Sequence, residues 1–511
     1  MRKAVKQQII QLIDTILEAH IEIKKSIDSE EFNNARSILA DCQDCAVMVG
    51  NTIEQFDDSQ SEIISKLESY CEQLFIIHGQ LESNEQSSAE IKKILDANVK
   101  EIRNEILNKI RVELKVVFMP YKASMWTSLE SVWKAADADP YCEAKVVVIP
   151  YATLDSKQQL DHIEYEADKF PEYVPITHYS EYSLEKEQPD MIFIHNPYDG
   201  GNNVTRIPEK YYSFNLKKYT EQLIYSPYGM MGFYNPDKGA FMCDTSAVFF
   251  ADKVLVQSEK VKQIYIDQGV SREKLCALGS PKVDAIISNM KQPVIYPDGW
   301  EDKLKGRKVF LLNTHLSYFV NGYLYTQNHP GRRDYAKGAH DAIFNRLIDA
   351  ENCALIWRPH PLLKDMLKSR GLYDSLEYVE QLEQRIANSS NAVLDTNGDY
   401  SISFRISDAF VTTYSSMISE YMISGKPTYV YQQCLNVDLC RKSPVSYLNN
   451  YFRTKDGRPP QFLEFIEMVL AGEDYRYEQR MEDVHRAFSN LEGTIGAKVY
   501  NKLKEEWNNL V

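Results

Sequence analysis

Two short stretches of this 511-residue chain hold side chains able to handle a phosphate. In WRPHP, Arg358 and His360 directly follow the apolar run CALIW, and Pro359 and Pro361 stiffen the loop that carries them. Arginine offers a planar fork of donors matched to phosphate oxygens, and histidine can donate or accept a proton. In SDAFVTTYSSMISEYMISGKPTYVY (407–431), Thr412, Thr413, Tyr414, Ser415 and Ser416 crowd the point where a strand hands over to a helix. One hydroxyl suffices to cap a helix. Several of them, beside the positive end of a helix dipole, suit an anion. Glu420, in the helix that follows, is placed to reach sugar hydroxyls. Other polar groups also end apolar runs: Ser124, His195 and Asp199 earlier in the chain, Thr314 and His315 later. His195, with Asp199 in the same loop, is the candidate general base.

Such groups need strands that end side by side. From residue 113 the sequence alternates apolar runs (ELKVVFMPY, AKVVVIPY, PDMIFIHNPYDGG) with helical patterns, the signature of a doubly wound parallel sheet. A linker, NMKQPVIYPDGWEDKLKG, carries two prolines and two glycines, and a second series follows with RKVFLLNTH and CALIWRPHPLL. In parallel sheets ligands bind beyond the carboxyl ends of the strands, where these polar groups fall. The expected organisation is a helical module at 1–112, Rossmann-like domains at 113–295 and 300–455, and closing helices at 456–511. Two such domains in tandem form the architecture of the B-type glycosyltransferases.

Residues 1–112 contain no proline, only Gly50 and Gly79 as glycines, and Ile and Leu at three- and four-residue spacings. Ile9, Ile10, Ile13, Ile16, Leu17 and Ile21 form one stripe; Ile63, Ile64, Leu67, Leu74 and Ile77 form another. These predict three or four amphipathic helices in a hairpin or coiled coil, a module suited to packing or homo-oligomerisation. The net charge of −15 argues against a nucleic-acid partner. Cys42 and Cys45 form a lone CxxC, expected to be a reduced pair. The nearest acidic DxD pattern, Asp137 to Asp139, lies in a connection, so no metal and no other cofactor is expected. No apolar run approaches the roughly 18 residues of a spanning helix. The expectation is a cytoplasmic chain, peripheral to the inner face of the membrane if the basic N-terminus engages lipid.

The stretches CALIWRPHP, SDAFVTTYSSMISEYMISGKPTYVY and SEKVKQIYIDQGVSREKLCALGSPKVDAI resemble the CDP-glycerol glycerophosphotransferases, the teichoic-acid polymerases and primases of Gram-positive bacteria. The similarity runs from about 115 to 450. It implies transfer of a polyol phosphate, glycerol phosphate or ribitol phosphate, from a CDP-activated donor to a hydroxyl of a glycan or lipid-linked acceptor. On that resemblance Arg358, His360, Ser415, Ser416 and Thr314 contact the donor pyrophosphate, Glu420 the ribose, and the first Rossmann-like domain takes the acceptor. Two positions depart from the family. Thr413 replaces the acid before the YSS turn. Pro227 and Tyr228, in IYSPYGMMG, stand where the family's His-Gly-Thr is expected, leaving Tyr228 and Ser124 as acceptor-side groups. Two alternatives remain open: a nucleotide-sugar glycosyltransferase of the same fold, and a non-catalytic nucleotide-binding scaffold in envelope assembly.

Overall fold

The computed structural model describes residues 1–56, 60–82, 87–155, 157–202, 204–232, 234, 241–316, 319, 340–348, 350–413, 415, 417–431, 443–445, 451–452 and 460–509. The chain forms two compact units, one of Met1–Lys115, Asp139–Glu143 and Trp507–Val511, the other of Val116–Ala138 and Ala144–Glu506.

The first unit is built on four helices: α1 (Lys3–Asp28), α2 (Phe32–Phe56), α3 (Ser61–Gln80) and α4 (Ser88–Lys109). Helix α1 packs on α2 and α4, and α3 packs on the same two, which closes a four-helix bundle. Ile9, Ile13 and Ile16 meet Ile63, Leu67 and Leu74 in one core, while Ile21 stays exposed. Helix α4 starts at a capping box: Ser87 Oγ accepts from Glu90 N–H, and the Glu90 carboxylate accepts from Ser87 N–H. One polar chain crosses the interior, with His20 bonded through Nδ1 to Asp96 (2.9 Å) and through Nε2 to Tyr70 (2.8 Å). Cys42 is buried there, and burial pushes its thiol up to about 11. It is a packing residue. Among the described residues no helix is long and apolar enough to cross a membrane.

The second unit holds two parallel sheets. The first is made of β1 (Leu114–Met119), β2 (Cys142–Val148), β3 (Ile176–His178), β4 (Met191–Ile194), β5 (Gln222–Tyr225), β6 (Lys253–Leu255) and β7 (Leu275–Cys276), in the order β7-β6-β5-β4-β1-β2-β3. The second contains β8 (Lys308–Asn313), β9 (Cys353–Trp357), β10 (Ala392–Leu394), β11 (Ala409–Thr412), β12 (Thr428–Val430) and β13 (Tyr451–Phe452), in the order β10-β9-β8-β11-β12-β13. Each sheet winds outward from its first strand in one direction and then, from its fourth, in the other. That is the Rossmann order, and its switch point lies between β1 and β4 and between β8 and β11. Both faces are covered, so strands such as Phe310–Leu312 and Cys353–Trp357 are continuously apolar and buried.

The fold is thus α/β with two Rossmann-like sheets preceded by an all-helical bundle. A small antiparallel sheet (Tyr151–Leu154, Leu160–Glu164, Thr205–Arg206) occupies the tyrosine-rich stretch that reads as a plain connection in the sequence. Short strands there carry too little apolar alternation to stand out.

Beyond the first sheet come α5 (Glu130–Asp137) and α6 (Pro281–Lys291); with the second sheet go α7 (Ser401–Ile406) and α8 (Met417–Met422), then α9 (Tyr477–Ala487) and α10 (Ile495–Asn508). The Asp284 carboxylate on α6 accepts the N–H groups of Ile495 (3.1 Å) and Gly496 (2.8 Å), satisfying the orphan donors at the start of α10. A Cβ on Gly496 would lie 2.2 Å from the Ser131 backbone in α5, a contact that no rotamer change relieves. Replacing Gly496 with Ala is therefore expected to lower stability by about 1–3 kcal/mol or more in urea denaturation. Gly79→Ala, with nothing within 4 Å of the new carbon, leaves the midpoint unchanged or slightly raised.

Candidate functional site

Arg358 leaves the end of β9, and its guanidinium is held in place. Nη1 donates to Asp395 Oδ2 at 2.7 Å and Nη2 to the Gly398 carbonyl at 3.3 Å. Asp395 is itself saturated: Oδ2 also accepts from Ser403 Oγ (2.5 Å), and Oδ1 accepts from the backbone and side-chain nitrogens of Asn397. Both partners are buried, at 8% and 0% side-chain exposure. The arginine therefore braces the loop after β10 with two of its five N–H donors. Asp395 escaped the sequence reading because β10 is three residues long, although NAVLDTNGD places an apolar trio and a turn where the alternation calls for a strand.

His360 is half-buried beside the helix that starts at Leu363. Its Nδ1 accepts the Leu362 N–H at 3.2 Å, which places the ring proton on Nε2 and leaves that group a donor. The His315 ring stands 5.9 Å away at 75°. Burial lowers the pKa of both, and in His360 the neighbouring His315 adds to it, so two neutral imidazoles sit at the ends of β8 and β9. His315 N–H donates to Thr413 Oγ1 (3.0 Å), tying β8 to β11 across the switch point. Thr413 supplies that tie through its side chain.

The hydroxyl-rich turn is spent first on its own backbone. Thr412 Oγ1 donates to the Thr413 carbonyl, and Ser415 Oγ accepts the Met417 N–H at 3.1 Å. Accepting leaves the Ser415 O–H hydrogen for another oxygen. Tyr414 and Ser416 lie outside the described residues. Thr314 differs from expectation: it is fully buried, bonded to His340 (2.8 Å) and Tyr431 (2.7 Å), and faces the core.

Glu420 is 5% exposed on α8. Its Oε1 accepts from Lys282 Nζ of α6 at 2.7 Å, and its Oε2 accepts from the Tyr400 hydroxyl. Tyr400 begins α7, which is fixed at both ends. Asp399 accepts from Ser401 N–H and Oγ at its start, and Lys426 Nζ donates to the carbonyls of Phe404, Arg405 and Ser407 at its finish. The lysine of the GKP turn is thus a helix cap.

A cavity of about 300 Å³ opens between these elements and the first sheet, walled by Ser124, Trp126, Tyr173, Lys282, Asp399 and Tyr400 among others. Ser124 is exposed at its rim, as an acceptor-side group would be. The other groups of the first sheet are not brought to it. His195 is completely buried, with Nε2 accepting Tyr121 N–H (3.2 Å) and Nδ1 3.3 Å from Ser128 Oγ; burial takes its pKa down to about 3. It stays neutral and has no lone pair to offer a hydroxyl. Asp199 is 6% exposed and accepts from both Ser213 N–H (2.9 Å) and Oγ (2.6 Å). Tyr228 is half-buried against Tyr198, and burial pushes its phenol well up. None of the three is poised as a base at neutral pH.

Two Rossmann-like domains in tandem, with a cavity lined from both, form the B-type glycosyltransferase architecture. The family profile of CDP-glycerol:poly(glycerophosphate) glycerophosphotransferase matches residues 244–501, half of the chain, and the chain belongs to that family. No curated protein matches the sequence. Among solved structures it is similar to a putative UDP-N-acetylglucosamine 2-epimerase from Listeria monocytogenes (12% identity, TM-score 0.49, covering 78% of this chain and 98% of that one). It is also similar to a variant of the wall teichoic acid polymerase TagF soaked with CDPG (12%, 0.47, 88% and 99%). A third likeness is S. aureus MnaA with UDP (12%, 0.46, 77% and 97%). None of these distant likenesses assigns chemistry to this chain.

Breaking the Arg358–Asp395 pair from either side leaves one buried charge uncompensated. Arg358→Ala and Asp395→Ala are each expected to cost about 3–5 kcal/mol in urea denaturation. The double variant should cost clearly less than their sum, because the two side chains share one interaction.

Proposed function

We propose that the chain transfers glycerol phosphate or ribitol phosphate from a CDP-activated donor to a hydroxyl of a cell-envelope glycan or lipid-linked acceptor. The acceptor oxygen bonds to the phosphorus that carries the polyol, the phosphoanhydride bond to CMP breaks, and the hydroxyl proton is released. The observation that carries this reading is the His360 ring. Its tautomer is fixed so that Nε2–H donates, beside a neutral His315, and both lie, with Ser415, inside the segment matched by the family profile. Fixed neutral donors suit a leaving group on which charge grows, because they need no reorganisation as the bond breaks. Work on a lipid-linked acceptor places the protein at the inner face of the cell membrane.

A second reading is favoured by one specific feature. On the resemblance, Pro227 and Tyr228 stand where the family's His-Gly-Thr is expected, and burial raises the Tyr228 phenol, which keeps it protonated at neutral pH. A chain without an acceptor-side base would bind the nucleotide and transfer nothing.

The test is CMP release from CDP-glycerol and from CDP-ribitol in the presence of lipid-linked and glycan acceptors. Acceptor-dependent release by the wild type is expected. His360→Ala should lower the rate by about 100-fold or more, and lose about 1.5–3 kcal/mol in CDP affinity if one charge-assisted hydrogen bond is removed. CDP binding by the wild type without release to any acceptor would favour the second reading. Equal rates and equal CDP affinity in His360→Ala would remove the observation on which the transfer reading rests.

A further inference from the structure

Four groups of the second domain that could carry positive charge are paired or held neutral, and none is among the described residues that line the cavity. Arg358 is bound to Asp395 and Gly398, and Lys426 is bound to three carbonyls. His315 and His360 are held neutral by burial. Among the described residues lining the cavity, Lys169 and Lys282 are the cations. Lys169 is 56% exposed and sits 3.4 Å from Glu166, so water screens it. Lys282 differs in every respect. Its side chain is 13% exposed, its partner Glu420 6%, and its Nζ stands 5.5 Å over the Tyr400 ring.

Lys282 also spans the two Rossmann-like domains. It projects from the first turn of α6, which Asp284 ties to the start of α10, and it reaches α8, which begins two residues after Ser415. A desolvated pair of this kind gains little net stability over an apolar replacement. Its charges are, however, ready to be re-paired by a ligand that enters the cavity.

We propose that Lys282 is the cation that binds the donor's diphosphate, and that it does so by exchanging Glu420 for the ligand. This rests on the nucleotide-transferase reading given above. Lys282 and the Tyr400 hydroxyl both bond to the Glu420 carboxylate. A nucleoside diphosphate takes over Nζ, and the freed Glu420 Oε1 becomes an acceptor for a ribose hydroxyl. The nucleotide thereby draws on the first domain through Lys282 and on the second through Glu420, so donor binding fastens one domain to the other.

The test is calorimetric titration of cytidine, CMP and CDP into the full-length wild type, Lys282→Met, Lys282→Arg and Glu420→Gln. In the wild type, affinity is expected to rise with each phosphate. In Lys282→Met the gain from cytidine to CDP should shrink by about 10-fold or more, the scale of a charge-assisted hydrogen bond, while cytidine itself binds within about 2-fold of wild type. Lys282→Arg should restore most of the gain, which shows that charge and not folding is at issue. Glu420→Gln should weaken cytidine yet keep or enlarge the phosphate gain, since its competitor for Lys282 is gone. A full phosphate gain in a folded Lys282→Met would overturn the assignment and leave the transferase reading standing. An equal loss for all three ligands would overturn it too, as the mark of a merely structural latch. A wild type that binds no CDP would overturn both.

Discussion

The second sheet's working edge depends on one buried ion pair. Arg358 and Asp395 leave the ends of adjacent strands, and their bond fixes the loop that presents Gly398, Asp399 and Tyr400. The pair satisfies nearly every polar atom around it, which is what makes a buried charge tolerable. From Tyr400 the order passes to Glu420 and Lys282, and from the WRPHP loop to His360. Prolines on both sides of His360 limit the freedom that would otherwise be lost when a ligand is bound.

The proposed phosphate site draws its directed donors from neutral imidazoles and a hydroxyl, and its charge from Lys282 in the other domain. The first sheet contributes in another way. His195, Asp199 and Ser213 form internal bonds that hold the loops after β4 in place, and Ser226 Oγ donates to the Ser128 carbonyl (2.6 Å) to join the ends of β5 and the segment after β1. These polar groups fall at the switch point as the topology requires, but they point inward. A polar residue at a strand end can serve the turn as readily as the ligand.

The fold was legible because its signals are long-range and repeated. Apolar runs such as CALIW and VFLLN recur with helical patterns between them, and both faces of each sheet are buried, so the runs are uninterrupted. Proline-free stripes gave away the helical bundle. Short elements were not legible: β3, β10 and the small antiparallel sheet each have five residues or fewer per strand, too few for a period to show. Residue types placed His360 and Ser415 at the carboxyl edge of the second sheet and Glu420 in the helix that follows. They could not tell a ligand-facing Arg358 from one that braces a loop, since that depends on Asp395, 37 positions away. Nor could they separate His195 in the core from a histidine in the cleft. Lys282 went unremarked because its partner lies 138 positions on, in the other domain.

The central claim is that the nucleotide donor is gripped by the carboxyl edge of the second sheet. Hydrogen–deuterium exchange of the full-length protein with and without CDP-glycerol tests it most directly, because these backbone amides are named by the structure. The account predicts slowed exchange at 358–362, 395–400 and 417–420, with the helices of 3–109 unchanged. Protection confined to the loops after β1 and β4, or no protection at saturating ligand, would contradict it.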